Sequence, residues 1–150
     1  MAANSRFAVA IHTMGVLAFV NDGPVSSEMI AKSVDTNPVV IRRIIRRFVK
    51  HGLVSVRMGT GGGASLTKPA ADISLAEIYG ALEENPIFQV PKLASDHPCS
   101  VGRIVRPVME ELFADVESEL ISRLNVISLE DVMERVSKGI LEDSWPSKSE

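Results

Sequence analysis

Apolar side chains at Ile41, Ile44, Ile45 and Phe48 recur at helical spacing and fall in one stripe, on the order of 100° wide, along residues 39–51. The opposite side of this predicted helix carries Arg43, Arg46, Arg47 and Lys50, with Arg42 on the flank. Asn37 is placed as its N-cap and Pro38 in its first turn, where a missing N–H costs nothing, and Gly52 ends it. A shorter amphipathic run, Ser26 to Val34, precedes it across the break Asp35-Thr36-Asn37-Pro38. Ser26 or Ser27 caps that run, and its spacing directs Met29, Ile30 and Val34 inward. Downstream, the β-prone segment Leu53–Met58 leads into the turn Gly59-Thr60-Gly61-Gly62-Gly63. Ser65-Leu66-Thr67 reads as the returning strand.

Helix, short turn, helix and hairpin is the order of a winged helix-turn-helix. Before it, Phe7 to Val20 is apolar on more than one face, which predicts a largely buried first helix closed by the turn signal Asn21-Asp22-Gly23-Pro24. After it, Ile73 to Asn85 reads as a short helix capped by Ser74, and Pro86 to Pro98 as a proline-rich loop. From Val101 to about Asn125 runs a long helix with a wide apolar stripe, and little chain remains to cover it. A second copy is the economical partner, with Val105, Val108, Leu112, Val116 and Leu120 as dimerisation residues. Pro107 either kinks this helix or marks its start. Ser128 and Asp131 have the spacing of a capping box for a last helix, and Trp145 to Glu150 reads as a loose tail. The expected class is mostly α with a small β-wing. A DNA-binding winged helix-turn-helix takes residues 1–70, a helical dimerisation and regulatory region 71–140, and a tail 141–150.

Charge sharpens this picture. The formal net charge of −3 hides a split: residues 1–68 hold nine Lys/Arg against three Asp/Glu, a net of +6, and the remainder seven against sixteen, a net of −9. Five cations without an acid on one helix repel one another unless an anion lies across them, and ordinary solvated faces mix signs. Double-stranded DNA is therefore the expected partner, ahead of plain solvation. No apolar run reaches the roughly 18 residues of a membrane span. His12, Thr13 and the missing small-residue cleavage site argue against a signal peptide at the start, so a cytoplasmic place and no membrane partner are expected. The single cysteine, Cys99, excludes an intrachain disulfide and a multi-cysteine metal site within one chain.

The glycine run formally fits the dinucleotide pattern G-x-G-x-x-G/A, with Ala64 last. That pattern needs a helix immediately afterwards to offer its N-terminus to a pyrophosphate, whereas a strand is predicted here, and no G-K-[ST] follows. The run is read as the tip of the wing, where Gly61 and Gly62 let the backbone approach DNA. Arg57, on the strand into that tip, is placed to enter the minor groove; its plainer reading is an exposed strand arginine.

These residues resemble one family, the Rrf2 type of bacterial winged-helix regulators, relatives of the iron–sulfur-cluster regulator and the nitric-oxide-sensing repressor. The similar pieces are Arg6-Phe-Ala-Val-Ala, Ser27-x-x-x-Ile30-Ala31, Asn37-Pro38-Val39-Val40-Ile41-Arg42-Arg43-Ile44, Gly52-Leu53-Val54, Gly61-Gly62-Gly63 and Leu129-x-Asp131-Val132. The resemblance implies a homodimer joined by the long helix, with paired wings on a palindromic operator. It places DNA contacts at the start of the second helix and at Arg57. Two departures stand out: Ala64 where an aromatic is common, and only Cys99 where cluster-binding members have three cysteines. No cofactor is therefore expected, the thiolate ligands of an iron–sulfur cluster being absent.

The sequence thus predicts a sequence-specific transcriptional regulator, a repressor rather than an enzyme. Its DNA-binding residues are Ser26, Ser27, Asn37, Pro38, Val39, Val40, Arg42, Arg43, Arg46, Arg47, Lys50, Arg57, Gly61 and Gly62. The alternatives are a winged-helix protein-interaction module and a thiol-redox regulator acting through Cys99, with an oxidant or a small molecule as signal. In the sensor reading, His97 and the long helix's N-terminus favour the Cys99 thiolate; the preferred plainer reading has Cys99 packed at the helix start.

Overall fold

The computed structural model describes residues 3–20, 22–83, 85–92 and 98–142; Asn21, His97 and the tail from Trp145 lie outside them. The helices are α1 (Ala3–Phe19), α2 (Ser27–Val34), α3 (Pro38–Lys50), α4 (Leu75–Leu82), α5 (Ser100–Asn125) and α6 (Leu129–Glu142). Strands β1 (Val54–Arg57) and β2 (Gly63–Leu66) stand between α3 and α4, followed by a single 3-10 turn at Ala70–Asp72.

The stripe read on α3 is the centre of the core. Ile41, Ile44, Ile45 and Phe48 are all buried, against Ala10, Met14 and Leu17 of α1, Ile30 and Ala31 of α2, and Ile78, Ala81 and Leu82 of α4. Truncating a buried aromatic such as Phe48 to alanine is worth roughly 3–5 kcal/mol. Thr13 is the buried polar member of the core among the described residues, and its hydroxyl donates to the Val9 carbonyl at 2.8 Å, which removes the cost of burying it. Strands β1 and β2 pair antiparallel, Val54 opposite Leu66 and Arg57 opposite Gly63. Val25, just before α2, adds a third chain to this sheet at one point, exchanging two 2.9 Å backbone hydrogen bonds with Ala64.

The core draws on both sides of residue 70. Ser74 and Ser128 each cap a helix with a reciprocal box, Ser74 with Glu77 and Ser128 with Asp131. The two caps lie antiparallel: the Leu75 N–H donates to the Ile127 carbonyl at 2.9 Å and the Leu129 N–H to the Ile73 carbonyl at 2.8 Å. This clasp returns the chain after α5 and buries Leu129 fully.

Several expectations are corrected. Met29 is 56 % exposed, not inward; on an eight-residue helix Ile30 and Ala31 fill the core side, and Met29 faces an open apolar groove between α1 and α6. Phe19 and His12 are exposed on the same side, so α1 is buried along one face rather than all round. Helix α4 stops at Leu82, short of Asn85, and α5 runs unbroken through Pro107 from Ser100. No described residue of α5 is buried: a loop lies along one side, where Phe88 stacks on Phe113 at 5.0 Å and the Ile87 N–H donates to Glu117. Val108, Leu112, Val116 and Leu120 are exposed along the other side, and Val105 is half-buried.

The clasp carries a pH signature. Hydrogen bonds from Ser128 hold the Asp131 carboxyl below its usual range. At Glu77 burial alone would raise the pKa, but the Lys68 ammonium, 2.7 Å away, and the Ser74 groups together outweigh it and hold it low. A depressed folded pKa stabilises above the unfolded value, and that stability is lost as pH falls through the folded one. Glu77→Gln and Asp131→Asn should therefore melt below wild type at neutral pH, and the gap should close as the pH falls through the carboxylate range. Parallel melting curves from pH 7 to pH 3 would show that these carboxylates do not contribute in this way.

Candidate nucleic-acid interface

Helix α3 presents its first turn and one long side to solvent. The exposed Asn37 side chain accepts the Val39 N–H at 2.8 Å through its Oδ1, which fixes the N-cap. Val39 is 47 % exposed, whereas Val40 rests against the core, so only the first valine is free to touch a partner. Ser26, rather than Ser27, caps α2 by accepting the Met29 N–H. Both helices thus begin with side-chain caps, and the start of α3 adds N–H groups and a positive dipole end suited to a phosphate.

The cations divide into three kinds. Arg43, Arg46, Lys50 and, on β1, Arg57 are exposed and make no ion pair among the described residues. Arg42 pairs with Glu28 of α2, both side chains about half exposed. Such a surface pair is worth about 0–1 kcal/mol and yields readily to a phosphate. Arg47 departs from the expected face. It is half-buried, and its Nη1 donates to the Leu82 carbonyl at 2.9 Å. That carbonyl belongs to the last turn of α4, where helix geometry leaves acceptors without partners, so Arg47 joins α3 to α4.

A cleft of about 380 Å³ opens between the start of α1, the flank of α3 and the end of α4, lined by Arg6, Val40, Arg43, Ile44, Arg47 and Leu82. Arg6 enters the sequence reading through the charge balance and the Arg6-Phe-Ala-Val-Ala likeness but not as a DNA contact, because nothing local relates residue 6 to residue 43.

The wing owes its shape to close backbone approaches. A Cβ on Gly62 would stand 2.2 Å from the Arg57 carbonyl oxygen, and one on Gly63 2.4 Å from that of Val25. Strand β2 begins at Gly63, so the run offers no helix N-terminus and the nucleotide-loop reading fails. Gly61 lies at the exposed tip, with Arg57 at the end of the strand leading into it and the 86 % exposed Met58 just after. Ala64 is buried beneath the tip, a position with little room for an aromatic side chain in this chain.

Cys99 is exposed at the N-cap position of α5 rather than packed. Among the described residues no group of three or more His, Cys, Asp or Glu side chains comes together in metal-binding reach, and none of the helices is long and apolar enough to cross a membrane.

Comparison with known proteins agrees with this geometry. A family model described as Rrf2, iron-dependent transcriptional regulator, matches residues 3–135. A Bacillus subtilis (strain 168) protein named as an HTH-type transcriptional regulator, YwnA, is 40% identical over 130 residues, covering 87% of this chain and 96% of its own. A second from the same organism, YwgB, is 31% identical over 114 residues, covering 75% of this chain and 71% of its own. A crystal structure described as a DNA-binding protein superimposes with a TM-score of 0.70 at 42% identity, over 86% of this chain and 99% of that one. The structure of T. potens IscR gives 0.69 at 21% identity, over 93% and 91%, which speaks to the fold alone.

The division of the arginines is testable without any ligand. Arg47→Ala should lower stability by about 1 kcal/mol, a few degrees in Tm, since a hydrogen bond from a charged donor to a half-buried carbonyl is lost. Arg46→Ala should stay within about 0.5 kcal/mol of wild type. Equal melting temperatures for both variants would return Arg47 to the solvated face.

Proposed function

The chain belongs to the Rrf2 family of transcriptional regulators, not of enzymes, and from that premise we propose that it binds double-stranded DNA as a homodimer and represses transcription at a palindromic operator. The observation that carries this reading is the acid-free set of exposed cations, Arg43, Arg46 and Lys50 on α3 with Arg57 on the wing. The α3 cations contact phosphates and supply affinity with steep salt dependence. Asn37 and Val39 face base edges in the major groove, and Arg57 enters the flanking minor groove beside Gly61 and Gly62. The exposed stripe of α5 pairs two copies, and a two-fold protein reads a two-fold site. A dimer seated on its operator excludes other proteins from that DNA, which makes repression the simplest outcome.

The family description mentions iron, so the donor set matters. A thiolate-held cluster takes several cysteines, and this chain has one. The residues do not fit such a group within one chain, and we propose a regulator that works without a resident cluster. The exposure of Cys99 at the head of the dimer helix favours a second reading, in which oxidation of this thiol resets the dimer.

Selection of genomic fragments by the purified protein, at near-physiological salt, should enrich palindromic sequences. A protein that retains no DNA there would instead be an interaction module. Sedimentation at several concentrations should give a dimer, and Leu112→Glu with Val116→Glu a monomer; a wild-type monomer would overturn the role given to α5. Peroxide should lower operator affinity of wild type and leave Cys99→Ser unchanged, and identical responses would end the thiol reading.

A further inference from the structure

We propose that the cleft lined by Arg6, Arg43 and Arg47 is a phosphoryl-anion site, seated by a DNA backbone phosphate beyond the recognition helix's own contacts. The proposal rests on the DNA-binding reading above and extends it to a residue, Arg6, that lies far from α3 in sequence. Three guanidinium groups from two helices line one opening of about 380 Å³, and its other lining residues, Val40, Ile44 and Leu82, contribute no acid. Like charges gathered in one concave place raise each other's energy, and an anion between them reverses the sign of that term. Guanidinium groups suit this task because their planar donors match phosphate oxygens in pairs.

The three arginines do not act alike. Arg47 is anchored by its bond to the Leu82 carbonyl, so it forms a fixed cationic wall rather than a mobile arm. Arg6 and Arg43 make no ion pair among the described residues, which leaves their donors available for the ligand. Arg43 belongs both to this cleft and to the outward side of α3, so the cleft is continuous with the cationic surface. A phosphate gripped between Arg6 and Arg43 ties α1 to the duplex backbone and fixes how α3 is set in the groove.

A phosphate group has two sources, DNA and the free ion, and two arms separate them. In the first, binding of wild type, Arg6→Ala and Arg6→Lys to a specific and a random duplex is measured between 50 and 200 mM salt. Loss of one phosphate contact lowers the slope of log affinity against log salt by about 0.9. The wild-type advantage over Arg6→Ala should therefore shrink roughly threefold across that range, equally on both duplexes, with Arg6→Lys in between. In the second arm, inorganic phosphate is added to each protein in chloride of matched ionic strength and the melting temperature is followed. A phosphate-dependent rise in wild type that is lost in Arg6→Ala and Arg43→Ala supports the site. Wild type and Arg6→Ala with equal slopes but an Arg6-dependent response to free phosphate would overturn the assignment to DNA. Equality in both arms, with unchanged melting of the variants, would overturn the site altogether. Wild type that binds no duplex would sink the function proposed above instead, and the second arm would still decide the cleft.

Discussion

Ile41, Ile44, Ile45 and Phe48 grip α3 along a single stripe, and a helix held in that way cannot roll without exposing several of them to water. Each is worth on the order of 2–5 kcal/mol against truncation, so the orientation of the helix is set by the core and not by whatever it binds. Everything α3 presents follows from that orientation. Arg43, Arg46 and Lys50 face solvent, and Arg47 falls on the flank beside α4, where an unpaired helix-end carbonyl receives it. A rigid cationic face of this kind loses little conformational freedom on meeting a polyanion, which is what allows modest individual contacts to accumulate.

The same core extends into the second half of the chain. The paired caps at Ser74 and Ser128 bring the start of α6 against the start of α4, and Leu129 enters the interior with α1. Helix α5 is thereby held after its C-terminal end by the clasp and near its middle by the loop that packs Phe88 on Phe113, while Val108, Leu112, Val116 and Leu120 stay exposed. Any partner that pairs with α5 acts on an element joined to the body through α4. Arg47 joins α4 in turn to α3. That gives a contiguous physical path from the proposed dimer helix to the recognition helix, built from one hydrogen bond and shared packing.

What the sequence made legible was whatever is local. Strong helical period on α3 placed all four of its core residues correctly, and the cap signals at Asn37, Ser74 and Ser128 are the caps observed. The wing was readable because only glycine tolerates such close approaches at Gly62 and Gly63. The short helix α2 was misjudged at Met29, since two turns define a face poorly. Cys99 was misjudged because burial at a helix start depends on what chain happens to lie over it. The bond of Arg47 to Leu82, the pairing of Arg42 with Glu28 and the position of Arg6 in the cleft all join residues remote in sequence, and no periodicity carries that information.

Charge distribution turns these contacts into a direction of approach. The front half of the chain is basic while α5 carries Glu110, Glu111, Asp115, Glu117 and Glu119, so the molecule as a whole is acidic yet polar in its charge. A polyanion nearing such a molecule is repelled by one half and drawn to the other before any contact forms, which orients the encounter. The price is self-repulsion within the basic half, and the structure relieves it unevenly: Glu28 neutralises Arg42, Glu77 pairs with Lys68, Leu82 receives Arg47, and the remaining cations make no ion pair among the described residues. The cations left without partners mark where a phosphate gains most. They lie on the exposed side of α3, on β1 and at the mouth of the Arg6 cleft, which together make a surface wider than one helix.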